Sequence, residues 1–373
     1  MTKTINNSNA FLTELNKNGV LFDWELFEMQ LANEKLIQDG IVDEINNLLE
    51  HPIDFNKPED LAFTLYKNNI YPREITFNYF KEHRYENPVY ELIYKYKKLN
   101  QKLTLLNNIK LIRSEDGKVC GHWQLNSSTT KRLGCSKPNL MALPKVAKDC
   151  VIPEKGKTII KCDFSQIELR ILAEITQDEN LLLSFNSDVD IHTATASLIY
   201  GKPSVEIKED ERNSCKVINY GIAYGISAQG LMDNLNKLGI PATLSQASCL
   251  RNRFLEVFLG IREYQANVCT AKTLKSLGGT EITTENMSPN QCLNWPIQTS
   301  CSEVLLVSLD YLMSNKDQST KLINSIHDEL WIEVDNSLVT QEANMLILSM
   351  QQGFQKYVKS VKFDGDLNFI ERN

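Results

Sequence analysis

The chain has 373 residues, 42% of them hydrophobic and 23% charged, with a formal net charge of −7. This is the composition of a globular protein with substantial cores, not of a disordered one. No apolar run is long enough to cross a bilayer and no signal peptide heads the chain. The nine cysteines are scattered singly, without a Cys-x-x-Cys pair. That argues against a zinc site or a disulfide framework and for a reducing, cytoplasmic setting.

The acidic total hides an uneven distribution. Residues 1–60 hold 4 basic and 12 acidic side chains, residues 61–162 hold 19 and 8, and the remainder holds 17 and 27. A basic middle between acidic flanks suits a protein that grips a phosphate backbone locally. A set of solvated Lys-rich faces would give the same numbers.

In chain order, the periodicity predicts helix over 9–50, broken at Asn18-Gly19. Helices follow over 58–70 and 87–108, the second interleaving aromatics with lysines. A hairpin is expected over 109–125, turning at Glu115-Asp-Gly117, and a buried strand over 157–163, with a helix beginning at Ser165. Residues 206–236 read as helix interrupted near Ser227, and 245–275 as helix. Residues 276–292 read as loop and 299–314 as helix. A hairpin over 321–334 carries His327-Asp328 at its tip, a helix covers 338–359, and a strand lies near 361–367. Strands and helices mix without a strict βαβ period, which points to an α+β fold.

Asp163 and Asp328 each end a short apolar strand-like run. Two carboxylates far apart in sequence but both at strand ends suit a site for two divalent ions, roughly 4 Å apart, that activates the attacking and leaving oxygens of a phosphoryl transfer. Magnesium fits because it keeps carboxylate and phosphate oxygens as ligands. An Asp just before a helix is also a common N-cap, so the cap reading of Asp163 stands beside the metal one.

Arg212, Lys216, Tyr220 and Tyr224 are each four apart and form one helical stripe. Two cations followed by two aromatics suit an incoming nucleotide. The cations would meet the triphosphate near the positive helix end, the first aromatic the sugar and base, and the second the entry point of the templating base. An aromatic stripe also marks core faces, although a core would not bury two unpaired cations. Gly221 and Gly225 weaken the helix, and a close approach of substrate would explain them.

Four segments together resemble the family A DNA polymerases, the bacterial DNA polymerase I type, from about Phe11 to the C-terminus. They are Asp163-Phe-Ser-Gln-Ile-Glu-Leu-Arg170, Arg212 through Gly225, His327-Asp328-Glu329, and a supporting set. The supporting set comprises the Thr130–Leu140 stretch, Asp190-Ile-His192 and Asn294-Trp-Pro-Ile-Gln298. The resemblance implies a right-hand polymerase fold. The N-terminal segment, residues 1–23, would pack on the palm. Residues 24–108 would form the thumb, 109–177 and 265–373 the palm, and 178–264 the fingers.

It also implies site roles. Asp163 and Asp328, with the carbonyl of Phe164, would hold two Mg2+ ions, with Mn2+ as a substitute. Glu329 would be an outer carboxylate. Lys216 and Arg212 would bind the triphosphate, His192 a phosphate, and Gln166, Tyr220 and Tyr224 the nucleotide. Glu168 would close the space beside the sugar C2′ and reject ribonucleotides. Arg132, Asn294, Gln298 and His327 would contact primer-template DNA, through groove shape rather than base sequence. The expected substrates are dNTPs and a primer 3′-OH, and the expected state is a monomer without membrane contact. A separate exonuclease, helicase or processivity factor would be a partner, because no nuclease domain is expected ahead of this region.

The sequence departs from the family in places. Lys131 stands where the family usually has Gly. The 276–292 loop is shorter and lacks the arginines expected there, Asn290 standing at one such place, and the thumb stretch is short. Two rivals remain at this point. A phage-type single-subunit RNA polymerase shares the palm aspartates and the Lys-to-Tyr helix, but Glu168 leaves no room for a 2′-OH. A non-catalytic DNA-binding subunit would not need Asp163, Lys216 and Asp328 intact.

Overall fold

The computed structural model describes residues 8–55, 57, 60–125, 127–187 and 189–372. The chain divides into two compact units. One comprises Met1–Leu15, Trp123–Gly134 and Gly156–Ile370; the other comprises Asn16–His122, Cys135–Lys155 and Glu371–Asn373.

The first unit is built on a four-stranded sheet in the order Gly365–Glu371, Lys157–Phe164, Glu329–Asp335, Lys321–Ile326. Lys157–Phe164 and Glu329–Asp335 run antiparallel, with Asp163 directly opposite Glu329. Glu329–Asp335 and Lys321–Ile326 form a hairpin whose two-residue loop is His327-Asp328. His327 takes the left-handed conformation, φ 56°, that such a tight turn requires of one residue. Residues of alternate parity on these strands, Ile160 and Cys162 with Leu330, Ile332 and Val334, are all buried. Behind the sheet, helix Pro289–Asn315 packs on helix Val339–Tyr357. Phe164, Phe354 and Phe363 meet in a ring cluster with centroids 5.7–6.5 Å apart.

Helix Pro289–Asn315 begins ten residues earlier than the 299–314 expectation. Ser288 caps it by accepting from the N–H of Gln291 at 3.3 Å, while the Gln291 side chain returns to the N–H of Ser288 at 2.7 Å. It also runs through Pro296. The 276–292 stretch is therefore not a plain loop. Its middle joins strand Thr273–Lys275 to strand Glu281–Thr283 in a small antiparallel pair, and its end is helix. Glu303 anchors the turn between those strands, accepting from Ser276, Gly278 and Thr280.

The second unit pairs the long helices Trp24–Asn47 and Pro88–Leu111. Asp23 caps the first and Asn87 the second. Glu34 and Lys102 tie them at 2.7 Å. Two short helices, Leu61–Lys67 and Phe77–His83, close a core of Ile45, Ile53, Leu61, Leu65, Phe80, Val89, Tyr90 and Ile93. The hairpin expected over 109–125 does not form. Helix Pro88–Leu111 consumes its first residues, and Lys118–Val119 pairs instead with Val20–Leu21. The turn signal itself is sound: Gly117, φ 81°, donates its N–H to Ser114.

The expected thumb residues, 24–108, all fall in the second unit and the expected fingers residues, 178–264, in the first. The stretch 109–177 is shared between the units, and so is the N-terminal segment. Within the first unit, Glu14 accepts from the N–H of Leu322 at 2.8 Å and pairs with Lys316 at 3.0 Å.

Candidate active site

The sheet register brings the two predicted acids together. Asp163 faces Glu329 across the ladder, and Asp328 is the residue before Glu329 on the hairpin loop. Directly opposite residues in an antiparallel pair have Cα atoms about 4.5–5.5 Å apart. Asp163 lies inside strand Lys157–Phe164, and the residue at the N-cap of helix Ile167–Thr176 is Gln166, φ 57°. The cap reading of Asp163 is thus excluded.

Glu168 sits in the first turn of that helix. Arg132 donates to one of its carboxylate oxygens at 3.0 Å, and the Tyr224 hydroxyl donates to the other. Arg132 is carried on a segment that Trp295 anchors by donating its indole N–H to the carbonyl of Thr129, 2.9 Å. Burial pushes the Asp328 carboxyl above its usual range; Glu168 adds to the rise, while His327 and Arg132 oppose it. Burial also raises the Tyr220 phenol to about 12, with Glu168, Asp328 and Asp163 contributing. Four groups from three separate segments therefore share one electrostatic neighbourhood.

The stripe is not core. Helix Glu209–Ala223 buries Ser214, Cys215, Ile218, Asn219, Ile222 and Ala223 on one side. Lys216 is exposed, and Arg212, Tyr220 and Tyr224 are half-buried. The helix ends just before Tyr224. Gly225, φ 77°, donates to the carbonyl of Ile222 and Ile226 to that of Gly221, a terminating motif that favours glycine. A Cβ on Gly225 would lie 2.6 Å from Leu293 Cδ1, and one on Gly221 would lie 3.0 Å from Ile226 Cγ2. Helix termination and internal packing thus account for both glycines without a substrate. The first turn holds Glu209, Asp210 and Glu211, which offset the positive helix end expected to favour a triphosphate.

Beside the stripe runs an open groove of about 660 Å³, lined by Tyr220, Gly221, Tyr224, Asn234, Asn290 and Asn294 among others. The amide oxygen of Asn294 is buried there with no hydrogen-bond partner among the described residues. A buried acceptor left unpaired is costly unless a ligand supplies a donor. Gln298 follows one turn later, half-buried, and His327 is exposed on its hairpin.

Arg212 donates its Nε to Asp190 at 2.9 Å. His192 is buried, its Nδ1 3.0 Å from the Asn219 amide. This nitrogen is held by the protein, so only the other side of the ring is left for the phosphate contact expected of His192. Gln166 borders a separate polar cavity with Arg170, Asp190 and Lys362. Lys131, where the family usually has Gly, holds φ 58°, a conformation glycine takes without strain.

The sequence profile of DNA polymerase family A matches residues 29–369. The chain belongs to DNA polymerase family A. It is 31% identical over 290 residues to DNA polymerase I of Aquifex aeolicus, covering 75% of this chain and 50% of that protein. It is 26% identical over 382 residues to DNA polymerase I of Streptococcus pneumoniae, covering 92% of this chain and 43% of that one. The chain thus spans half, or less, of the length of these curated relatives. The POL domain of Pol1 from M. smegmatis, solved in complex with a DNA primer-template and dNTP, superposes with a TM-score of 0.83 at 19% identity, over 96% of this chain and 68% of that one. The α+β, right-hand polymerase fold expected of the family is therefore present. No helix among the described residues is long and apolar enough to cross a membrane.

The oxygen donors gathered at this end of the sheet would fit magnesium. Asp163 and Asp328 offer carboxylate oxygens and Phe164 a main-chain carbonyl. No cluster of three His, Cys, Asp or Glu side chains forms among the described residues. One or two carboxylates with the remaining positions left to phosphates and water is the usual magnesium arrangement. Sequence reasoning missed Asp190, Asn219 and Cys301. Cys301 is buried among Glu168, Arg132 and Asp328, and burial raises its thiol far above the usual range. The signal for Asp190 was its place before an apolar helix, the position of an N-cap.

Proposed function

We propose that this chain is a template-directed DNA polymerase that adds deoxynucleoside monophosphate to a primer 3′-OH and releases pyrophosphate. The single observation carrying this reading is the pinned Glu168. Its carboxylate is held by Arg132 and Tyr224 beside Asp163 and Asp328, where it would narrow the space next to a bound sugar. A site that must accept a 2′-OH would not fix a carboxylate there, and this disfavours RNA synthesis.

Asp163 and Asp328, with the carbonyl of Phe164, would hold two Mg2+ ions, Glu329 lying just outside them. Bound there, the ions would lower the pKa of the primer hydroxyl and neutralise charge developing on the phosphates. The protein's own part is positioning and electrostatics, as is usual in phosphoryl transfer. Lys216 and Arg212 would orient the triphosphate, and Tyr220 would press on the sugar and base. The groove beside Tyr224 has the size and the apolar walls for a templating base, and the unpaired Asn294 oxygen, with Gln298, Arg132 and His327, would meet the primer-template. Residues 24–108 would act as thumb, 178–264 as fingers, and 109–177 with 265–373 as palm. Extension by a monomer in the cytoplasm, in replication or repair and with a separate exonuclease, helicase or processivity factor, completes the proposal.

The test is extension of a labelled primer on a defined template with Mg2+ present or chelated, with dNTPs and rNTPs in competition. Magnesium-dependent incorporation of dNTPs in large preference to rNTPs is expected. Preferential rNTP incorporation, or none of either, would contradict the reading.

A further inference from the structure

Asp190 sits between two elements that the proposed nucleotide site uses. Its Oδ2 accepts from the N–H of Thr193 at 3.0 Å, from the Thr193 hydroxyl at 3.0 Å and from Arg212 Nε at 2.9 Å. The first two bonds cap helix Ile191–Tyr200 and so fix the carboxylate. The third fixes the guanidinium. Helices Ile191–Tyr200 and Glu209–Ala223 are clamped again at His192–Asn219, 3.0 Å, and Glu211 of the second pairs with Lys202, two residues past the end of the first. The carboxylate therefore stands on a rigid frame.

The geometry of the pair matters more than its strength. Arg212 meets Asp190 through Nε, and its two terminal nitrogens make no hydrogen bond with any described residue. Those two nitrogens form the planar fork that suits phosphate oxygens. A carboxylate on Nε stops rotation of a long side chain without occupying the fork, so the ordering cost falls on the folded protein rather than on nucleotide binding. Lys216, one turn along, is exposed and has no such partner among the described residues.

We propose that Asp190 is a positioning residue that presents the free edge of the Arg212 guanidinium to the triphosphate. This rests on the polymerase reading above, and the Asp190–Arg212 bond is what it adds.

Asp190→Asn tests it, because Asn still caps the helix and only the charged partner of Nε is lost. Steady-state extension should show KM for dNTP rising about fivefold, more than kcat falls, and Asp190→Asn should change KM less than twofold in an Arg212→Ala background. Direct titration of each protein with inorganic tripolyphosphate should show the same dependence on Arg212. If the wild type extends no primer, the polymerase reading fails, while the titration still reads the pair. A lower KM or tighter tripolyphosphate binding in Asp190→Asn would overturn the proposal, because Asp190 would then compete with phosphate. Equal losses with and without Arg212 would overturn it too.

Discussion

Tyr224 donates its phenolic hydroxyl to Glu168, 56 residues away in sequence, and leaves the opposite carboxylate oxygen to Arg132. Burial and this glutamate together hold the Tyr224 phenol far above its ordinary value, so it remains a donor at any working pH. The carboxylate proposed to judge the sugar is therefore set by the residue that ends helix Glu209–Ala223 and by a proposed primer contact. Glu168→Ala should lower the dNTP-over-rNTP ratio of kcat/KM by about tenfold or more, and Tyr224→Phe by a few-fold, on the scale of single pocket contacts. Paired single-nucleotide incorporation assays measure both.

Tyr220 carries its hydroxyl into the same neighbourhood of Glu168, Asp328 and Asp163. Within the proposed function, this hydroxyl stands in for a missing sugar 3′-OH, so dideoxynucleotides should be incorporated nearly as well as deoxynucleotides. Tyr220→Phe should discriminate against dideoxynucleotides by about tenfold or more. Strong, equal discrimination in wild type and variant would contradict this role.

The acids of the site were legible because each closes an apolar run, and a strand end is a local signal. Their meeting was not. It depends on the register of Asp163 against Glu329, strands 166 residues apart, which no local pattern encodes. The stripe Arg212–Tyr224 followed from helical periodicity alone. The cause of its glycines did not, because it lies in Ile226 and in Leu293 of another helix. The hairpin over 109–125 failed for the same kind of reason: the turn at Gly117 formed, but Val20–Leu21 became the partner of Lys118–Val119. Helix Phe77–His83 went unseen because seven residues give too short a periodic pattern.

Burial holds the His192 imidazole below its ordinary value, and Arg212 and Lys216 lower it further against the pull of Asp190. The unfolded chain therefore takes up this proton first as pH falls, and stability must fall with it. The contribution is whole above about pH 6.5 and is lost as pH drops through the lower folded value. Thermal melts of the wild type should decline across that window, and His192→Gln should flatten the decline. A wild-type melting temperature that rises on acidification would contradict the burial of a neutral ring.

Gly353 lies where helix Val339–Tyr357 crosses helix Pro289–Asn315. A Cβ there would fall 2.0 Å from Ser308 Oγ, 2.5 Å from the carbonyl of Val304 and 2.8 Å from the backbone nitrogen of Ser308. Two of these are backbone atoms and cannot rotate away. Gly353→Ala should cost about 1–3 kcal/mol or more, lowering the melting temperature by about 5 °C. Gly156→Ala tests a contrasting site, with φ 79° but open space around it, and should be destabilised by backbone strain alone.

Asp163 and Asp328, brought together by the sheet register, are proposed as the carboxylates on which nucleotide addition depends. Primer extension by Asp163→Ala and Asp328→Ala, with primer-template binding followed in parallel by fluorescence anisotropy, tests this most directly. Extension should fall by at least about a thousandfold in each variant, with DNA binding within a few-fold of wild type. Extension within tenfold of wild type by either variant would contradict it.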